Sequence, residues 1–386
     1  MKIIAPICKL LAVAFVLLLP SPKASFAQQE LIGDLKDIAE QYEAIGLSVA
    51  VVKDNKIVFE ENIGYKDKDA KTPLSHGDIF RIASISKSFT ATALMQFVER
   101  GEISLDDAVS DLIGFPVVNP NHPEETITLR MLLSHTSSIN DSQKYSSLDI
   151  INPDKNPDYA KCYSKPAPGT KYRYCNLNYN MAGAILEKLT GVEFSTYVVD
   201  TILKPLGLYG GYDADKLDAS KFVPLYRYRN GKFTLSKPAY RSLEKMKENY
   251  QIGYSAPIFS PTGGMKISTS DLAKYMMMHI NYGVGENGQR IISQKSSEIM
   301  QSAIAKASET ADYGLGIRLT RDFVDGKLLI GHTGSAFGLF SVMMFDREKN
   351  VGIIAITNGS KRVKVGNYNS LLKPTVELLY DWFADE

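Results

Sequence analysis

Arg81-Ile82-Ala83-Ser84-Ile85-Ser86-Lys87 opens a stretch, 84–100, whose apolar positions recur with helical spacing until Gly101 ends it. Ser84 and Lys87 stand three apart where that helix begins, so their side chains share a face. A serine hydroxyl attacks poorly until something takes its proton. A nearby lysine whose charge is suppressed by burial or by neighbours can take it. At a helix start the Ser84 backbone N–H also faces outward, ready for a developing oxyanion. The pattern is short, and alone it describes a capped helix with a solvated lysine equally well.

On the amino-terminal side, Leu31, Leu35, Ile38 and Tyr42 fall on one face and predict an amphipathic helix over 31–45. Strand-like runs follow at 47–52 and 56–65, with Asp54-Asn55 as the turn between them. On the carboxyl-terminal side, 101–300 reads as mostly helical and rich in loops, with helices at 176–189 and 270–280. Asn230-Gly231 between 226–229 and 232–235 predicts a hairpin, and 140–171 reads as a long loop. Strands return at 328–330, 339–345 and 351–357, and a helix closes the chain over 370–384. The arrangement predicts an α+β fold: one antiparallel sheet built from both termini, with flanking helices and an inserted, mostly helical lobe. The corresponding units are 28–100 with 301–386, and 101–300. No repeat of 20–50 residues is present.

The chain has 386 residues, 44 Lys+Arg against 43 Asp+Glu, 44% hydrophobic and 23% charged residues. That is globular composition, with no basic surplus of the kind nucleic-acid binding draws on. Lys2 and Lys9 flank a short apolar start, 10–19 is uncharged, and Ser25-Phe26-Ala27 offers small residues at a cleavage site. This is a secretory signal over 1–27, because an uncharged run of that length falls short of the ~20 residues that span a bilayer. The expected location is periplasmic or secreted, with no stable membrane insertion of the mature chain. Its two cysteines, Cys162 and Cys175, then face an oxidising compartment, and their spacing allows either a disulfide or two free thiols.

Among His76, His122, His135, His279 and His332 no two stand at i, i+4, and HExxH, CxxC, GxxxxGK[ST] and GxGxxG are all absent. No metal or cofactor is expected. Gly46-Leu47-Ser48 begins like a nucleophile elbow, but Ala50 breaks the pattern inside a strand.

Two further segments change the weight of Ser84-x-x-Lys87. Tyr174-Cys175-Asn176 places a phenol and an amide at a turn before a helix, and Gly331-His332-Thr333-Gly334-Ser335 follows a strand-like run. Singly, Tyr174 reads as a packed aromatic and His332 as a core histidine. In this order, the three segments resemble the serine β-lactamase and DD-peptidase superfamily, nearest to class C β-lactamases, DD-carboxypeptidases and related esterases and D-amino-acid amidases. Leu132-Leu133-Ser134-His135-Thr136-Ser137, Lys204-Pro205-Leu206-Gly207, Pro261-Thr262-Gly263-Gly264 and Tyr313-Gly314-Leu315-Gly316 extend the likeness over roughly 30–384.

The resemblance implies Ser84 as the acylated nucleophile, Lys87 as its proton partner and Tyr174 as a second proton-transfer group. It implies Asn176 orienting a substrate amide, the Ser84 and Ser335 N–H groups as oxyanion hole, and His332, Thr333 and Gly334 along the substrate. The reaction would be acyl transfer on a D-alanyl-type or β-lactam-related amide, with an ester or lactone as the alternative substrate and a non-catalytic cell-wall or β-lactam binder as a further one. The partner expected is the small-molecule or peptide substrate alone. Class C β-lactamases usually carry lysine where this chain has His332, and a histidine is mostly neutral above its ordinary pKa of ~6.5. His-Thr-Gly occurs in the DD-carboxypeptidase and D-aminopeptidase branches, so the departure tilts the expectation away from a dedicated β-lactamase. Cys175 replaces a commoner serine, and Ser138 stands where many relatives have glycine.

Overall fold

The strands expected at the two ends of the chain pair with each other. In the computed structural model, which describes residues 22–361, 364–365 and 368–384, Gly46–Lys53 runs antiparallel to Val351–Thr357, with Val49 opposite Ala355 and Val51 opposite Ile353. A nine-stranded antiparallel sheet grows from that pair. On one side lie Lys56–Asp67 and Thr72–Pro73. On the other follow Leu339–Asp346, Leu329–Ala336, Arg318–Thr320, Ala311–Tyr313 and Ala305–Lys306. Residues 1–21, which carry most of the expected signal, lie outside the described residues.

Both faces of the central strands are covered. Val49, Val51, Ile353 and Ala355 pack with Leu31, Leu35, Val376 and Leu379 from the helices Pro22–Gln41 and Leu372–Ala384. Ala50, Val52, Ile354 and Ile356 belong to the opposite core, beside Ser86–Glu99, Asn176–Thr190 and Thr269–Ile280. Successive side chains of a strand point to opposite faces, so a strand buried on both sides has no polar positions to alternate with. That is why 351–357 reads as an almost unbroken apolar run. Each such aliphatic side chain contributes about 1.5–3 kcal/mol of burial energy.

The middle of the chain holds the expected helices, with small shifts at their ends. Ser268 Oγ accepts the Asp271 N–H at 3.1 Å and caps Thr269–Ile280. In the 226–235 hairpin both Asn230 (φ 50°) and Gly231 (φ 77°) are left-handed, as a two-residue turn of this kind requires. A small three-stranded sheet aligns Ile79–Arg81 with Lys266–Ser268 and Gly210–Gly211, and in it Arg81 stands directly opposite Lys266.

Four expectations change in detail. The first helix begins at Pro22 and stops at Gln41 rather than 45, because Glu43 turns left-handed at φ 47°. Ser84 lies in a 3-10 turn, Ala83–Ile85, just ahead of the α-helix. The 140–171 segment contains short helical turns at Leu148–Ile150 and Tyr159–Cys162. Its asparagines organise it, since the side chains of Asn140, Asn152 and Asn156 each accept the backbone N–H two residues on. Both cysteines are free.

Candidate active site

Ala83, with φ 49°, sits in a conformation that non-glycine residues adopt at a cost of about 1–3 kcal/mol. Its neighbours hold it there. Ser86 Oγ donates to the Ala83 carbonyl at 2.6 Å and accepts the Met265 N–H at 3.1 Å, while Ser341 Oγ donates to the Ile82 carbonyl at 3.0 Å. The strand Leu329–Ala336 presses against the same turn at Gly334. A Cβ there would lie 2.3 Å from the Ile82 carbonyl oxygen and 2.4 Å from Ser341 Oγ. Only glycine permits this approach, and the next residue, Ser335, lines the same cleft as Ser84.

Lys87 reaches back from the first turn of the helix, its Nζ 3.3 Å from Ser84 Oγ. It donates to Asn176 Oδ1 and to the Thr262 carbonyl, each at 2.9 Å. No carboxylate touches it, and the residue is fully buried, so desolvation holds its pKa down at about 7 against the attraction of Asp141. Close to half of such amines carry a free lone pair at pH 7, against almost none at the ordinary lysine value.

Tyr174 lies over this amine, with Lys87 Nζ 4.6 Å from the ring centroid. Its outer edge is open to the cleft, yet the protein packed round it disfavours the charged form and raises its pKa above the ordinary value, against the pull of a hydrogen bond with Ser84. The ring rests on His135, centroids 4.3 Å apart, and Tyr172, Tyr179 and Tyr313 complete an aromatic shell round that imidazole. His135 is buried and kept neutral by desolvation, and its Nδ1 accepts the Cys175 N–H at 3.2 Å, which fixes the turn carrying Tyr174.

His332 is tied at both ring nitrogens. Nδ1 lies 2.6 Å from the Thr333 carbonyl, which can only accept, so Nδ1 carries the proton and Nε2 accepts from Tyr313 Oη at 2.9 Å. Burial lowers its pKa to about 3, with Lys87 and Arg318 adding to the effect and the bond to Thr333 opposing it. The imidazole is therefore neutral at working pH. Ser84, Tyr174, Asn176, His332, Thr333, Gly334 and Ser335 all line one cleft of about 890 Å³, and Lys87 closes it from beneath.

Asn176 is tied to its neighbours through both ends of its amide. Its Oδ1 accepts from Lys87 and from Thr262 Oγ1, and its Nδ2 donates to Asp141 Oδ2, leaving one amide hydrogen to offer. Asp141 was not visible from sequence. It also accepts the backbone N–H groups of Asn176 and Leu177 and the Cys175 thiol, and so seats the start of the Asn176–Thr190 helix. Its only signal was an acid in a polar loop. Ser138 adopts φ 64°, a left-handed conformation that glycine takes without strain. Among the described residues no cluster of ligand-type side chains suits a metal ion, and no helix is long and apolar enough to cross a membrane.

Residues 31–373 match the Beta-lactamase family. "Protein flp" of Staphylococcus aureus (strain COL) is 25% identical over 320 residues, covering 81% of this chain and 59% of its own length. The chain thus spans little more than half of that relative. "Penicillin-binding protein 4" of Amycolatopsis lactamdurans is 27% identical over 333 residues, 81% of each chain. Of solved structures, D-amino acid amidase from Ochrobactrum anthropi SV3, complexed with L-phenylalanine amide, superposes with a TM-score of 0.70 at 22% identity over 91% of this chain and 97% of its own, which is a likeness of fold. With the sheet, the turn that carries Ser84 and this match in hand, the chain belongs to the beta-lactamase family, a fold family of serine hydrolases.

Proposed function

We propose that this protein is an exported serine hydrolase that cleaves D-alanyl-type peptide amides through an acyl-enzyme on Ser84. The observation that carries the reading is the Lys87 amine, 3.3 Å from Ser84 Oγ and held near a pKa of about 7. Lys87 takes the Ser84 proton as Oγ adds to the substrate carbonyl, and the N–H groups of Ser84 and Ser335 hold the oxyanion. Tyr174 stays protonated, so it passes a proton rather than acting as a standing phenolate. With Lys87 it delivers hydrogen to the leaving amine as the C–N bond breaks. Water then adds to the Ser84 ester and the same groups return the proton to Oγ.

Neutral His332 gives the leaving-group end no charge of its own; Arg318, opposite Gly331 on the neighbouring strand and 3.8 Å from Asp322, lines that end of the cleft and is the cation a terminal carboxylate would meet. The relative named a penicillin-binding protein supports a D-alanyl substrate. Export rests on the signal over 1–27. Cleavage after Ala27 would spare the core, whose first helical contact is Leu31. The second reading, an ester substrate, is favoured by the same neutral His332, because an ester's leaving group needs less help from a proton donor.

Intact mass after mixing with a penicillin, alongside Ser84→Ala and an assay of hydrolysed drug, tests the reading. A long-lived adduct that requires Ser84 is the expected result. Rapid drug consumption without a visible adduct would make the protein a β-lactamase. Neither adduct nor consumption would transfer the assignment to the ester reading.

A further inference from the structure

The strand Leu329–Ala336 lines the cleft from the neutral His332 to the turn at Phe337, past Gly334 and Ser335. At ~3.3 Å per residue, Phe337 lies some ~7 Å beyond Ser335, on the side away from His332. The surroundings there are cationic. The Arg81 and Arg227 guanidinium carbons stand 4.9 and 5.3 Å from the Phe337 ring centroid. Lys266, 4% exposed, faces Arg81 across the small sheet, and Arg241 joins them in lining the cleft.

Nothing acidic neutralises the inner pair. Arg81 donates to the carbonyls of Gly263 and Ala239 and to Ser260 Oγ, and Lys266 to the carbonyls of Tyr212 and Gly264. Asp213 and Asp215 act on Lys266 only at a distance. Asp213 is bound to Lys247 at 2.5 Å, and Asp215 accepts the Leu243 N–H. Like charges directly opposite each other on paired strands destabilise a sheet, and buried cations are ordinarily matched by an anion. No Asp or Glu lines the cleft. Desolvation, with the charge of Arg81 adding to it, pushes Lys266 well below its ordinary value, while Arg81 at about 10 stays charged, so an arriving anion gains by restoring the Lys266 charge.

We propose that Arg81, Lys266, Arg227 and Arg241 form an anion subsite that selects substrates with a carboxylate on the acyl side of the scissile bond. The inference rests on the acyl-transfer reading for its direction, since the His332 end is taken there as the leaving-group end. A guanidinium fork beside a point-charge ammonium suits a carboxylate.

The p-nitrophenyl hemi-esters of succinate, glutarate and adipate, compared with the butyrate and hexanoate esters, test it. At least one diacid is expected to exceed the neutral ester nearest its length tenfold or more in kcat/KM, with the advantage shrinking as salt rises. The acid-to-neutral ratio, read within each variant so that a general loss cancels, should fall to near one in Lys266→Met and in Arg227→Gln. Lys266→Met also leaves the Tyr212 and Gly264 carbonyls without their donor, so its melting temperature should fall, which is why the ratio within each variant is the readout. A wild-type ratio near one, or a ratio untouched by both substitutions, overturns the subsite. If no ester is turned over, calorimetric titration of Ser84→Ala with glutarate separates the two ideas. Binding lost on adding Lys266→Met keeps the subsite and discards the acyl-transfer reading, whereas no binding discards the subsite.

Discussion

The two ends of the cleft solve the problem of burying ionisable groups in opposite ways. At the Ser84 end, desolvation lowers the charge of the groups around the serine: Lys87 falls to about 7, His332 to about 3, and Tyr174 is kept a neutral phenol. Every one of them keeps hydrogen-bond partners suited to its neutral form. At the Phe337 end, Arg81 keeps its charge, its pKa lowered only to about 10, while burial and that neighbouring charge push Lys266 opposite it well below the usual lysine value; both have carbonyl and hydroxyl partners only. The first arrangement is complete without a ligand. The second gathers cations with no acid among the cleft's lining residues, and the proposed division between reacting groups and an anion subsite rests on that difference.

The sharpest way to break this division is to remove the nucleophile. Ser84→Ala should lower kcat/KM about 10³-fold or more, and activity surviving near the wild-type level would place the chemistry elsewhere. Next comes the pH dependence of acylation. A lysine lowered from its ordinary 10.5 to about 7 is a proton acceptor only above that value. The rate should therefore rise with pH through a midpoint near 7 and then level off. A midpoint near 10 would show that Lys87 keeps its charge at neutral pH and cannot be the base there.

Gly334→Ala tests whether the two ends share one wall. The added methyl meets the Ile82 carbonyl and Ser341 Oγ, so thermal unfolding should show a loss of about 1–3 kcal/mol and turnover should drop about tenfold or more. The smallest expected effect belongs to Tyr313→Phe, which leaves the buried His332 Nε2 without its donor. A loss of about 1 kcal/mol in denaturant melts, with turnover falling only a few-fold, would fit a phenol that orients the imidazole. Abolished turnover would give Tyr313 a part in the reaction.

Much of the architecture was legible because its signals are local. Asn230-Gly231 forms its hairpin through two left-handed residues, Ser268 and Asp271 cap a helix three residues apart, and Val351 to Thr357 alternate between two buried faces. The Ser84–Lys87 pair is local too, which is why the site could be located from sequence. What stayed hidden depends on partners remote in the chain. Asp141 matters only because the fold brings it beneath the Tyr174–Asn176 turn, and Lys266 only because tertiary pairing sets it opposite Arg81. The cysteines remained open for the same reason. Folding sends the Cys175 thiol to Asp141 and the Cys162 thiol to the Ile150 carbonyl.

The pairing of Gly46–Lys53 with Val351–Thr357 also governs the order of events during synthesis. The first of these strands emerges early, yet one of its two edges stays open until almost the whole chain has been made. The sheet core cannot close on a growing chain, and a protein cut short before residue 351 would expose Val49, Val51 and Ala50 along an unpaired edge. Folding is thereby deferred to the finished polypeptide, whatever the local helices do earlier.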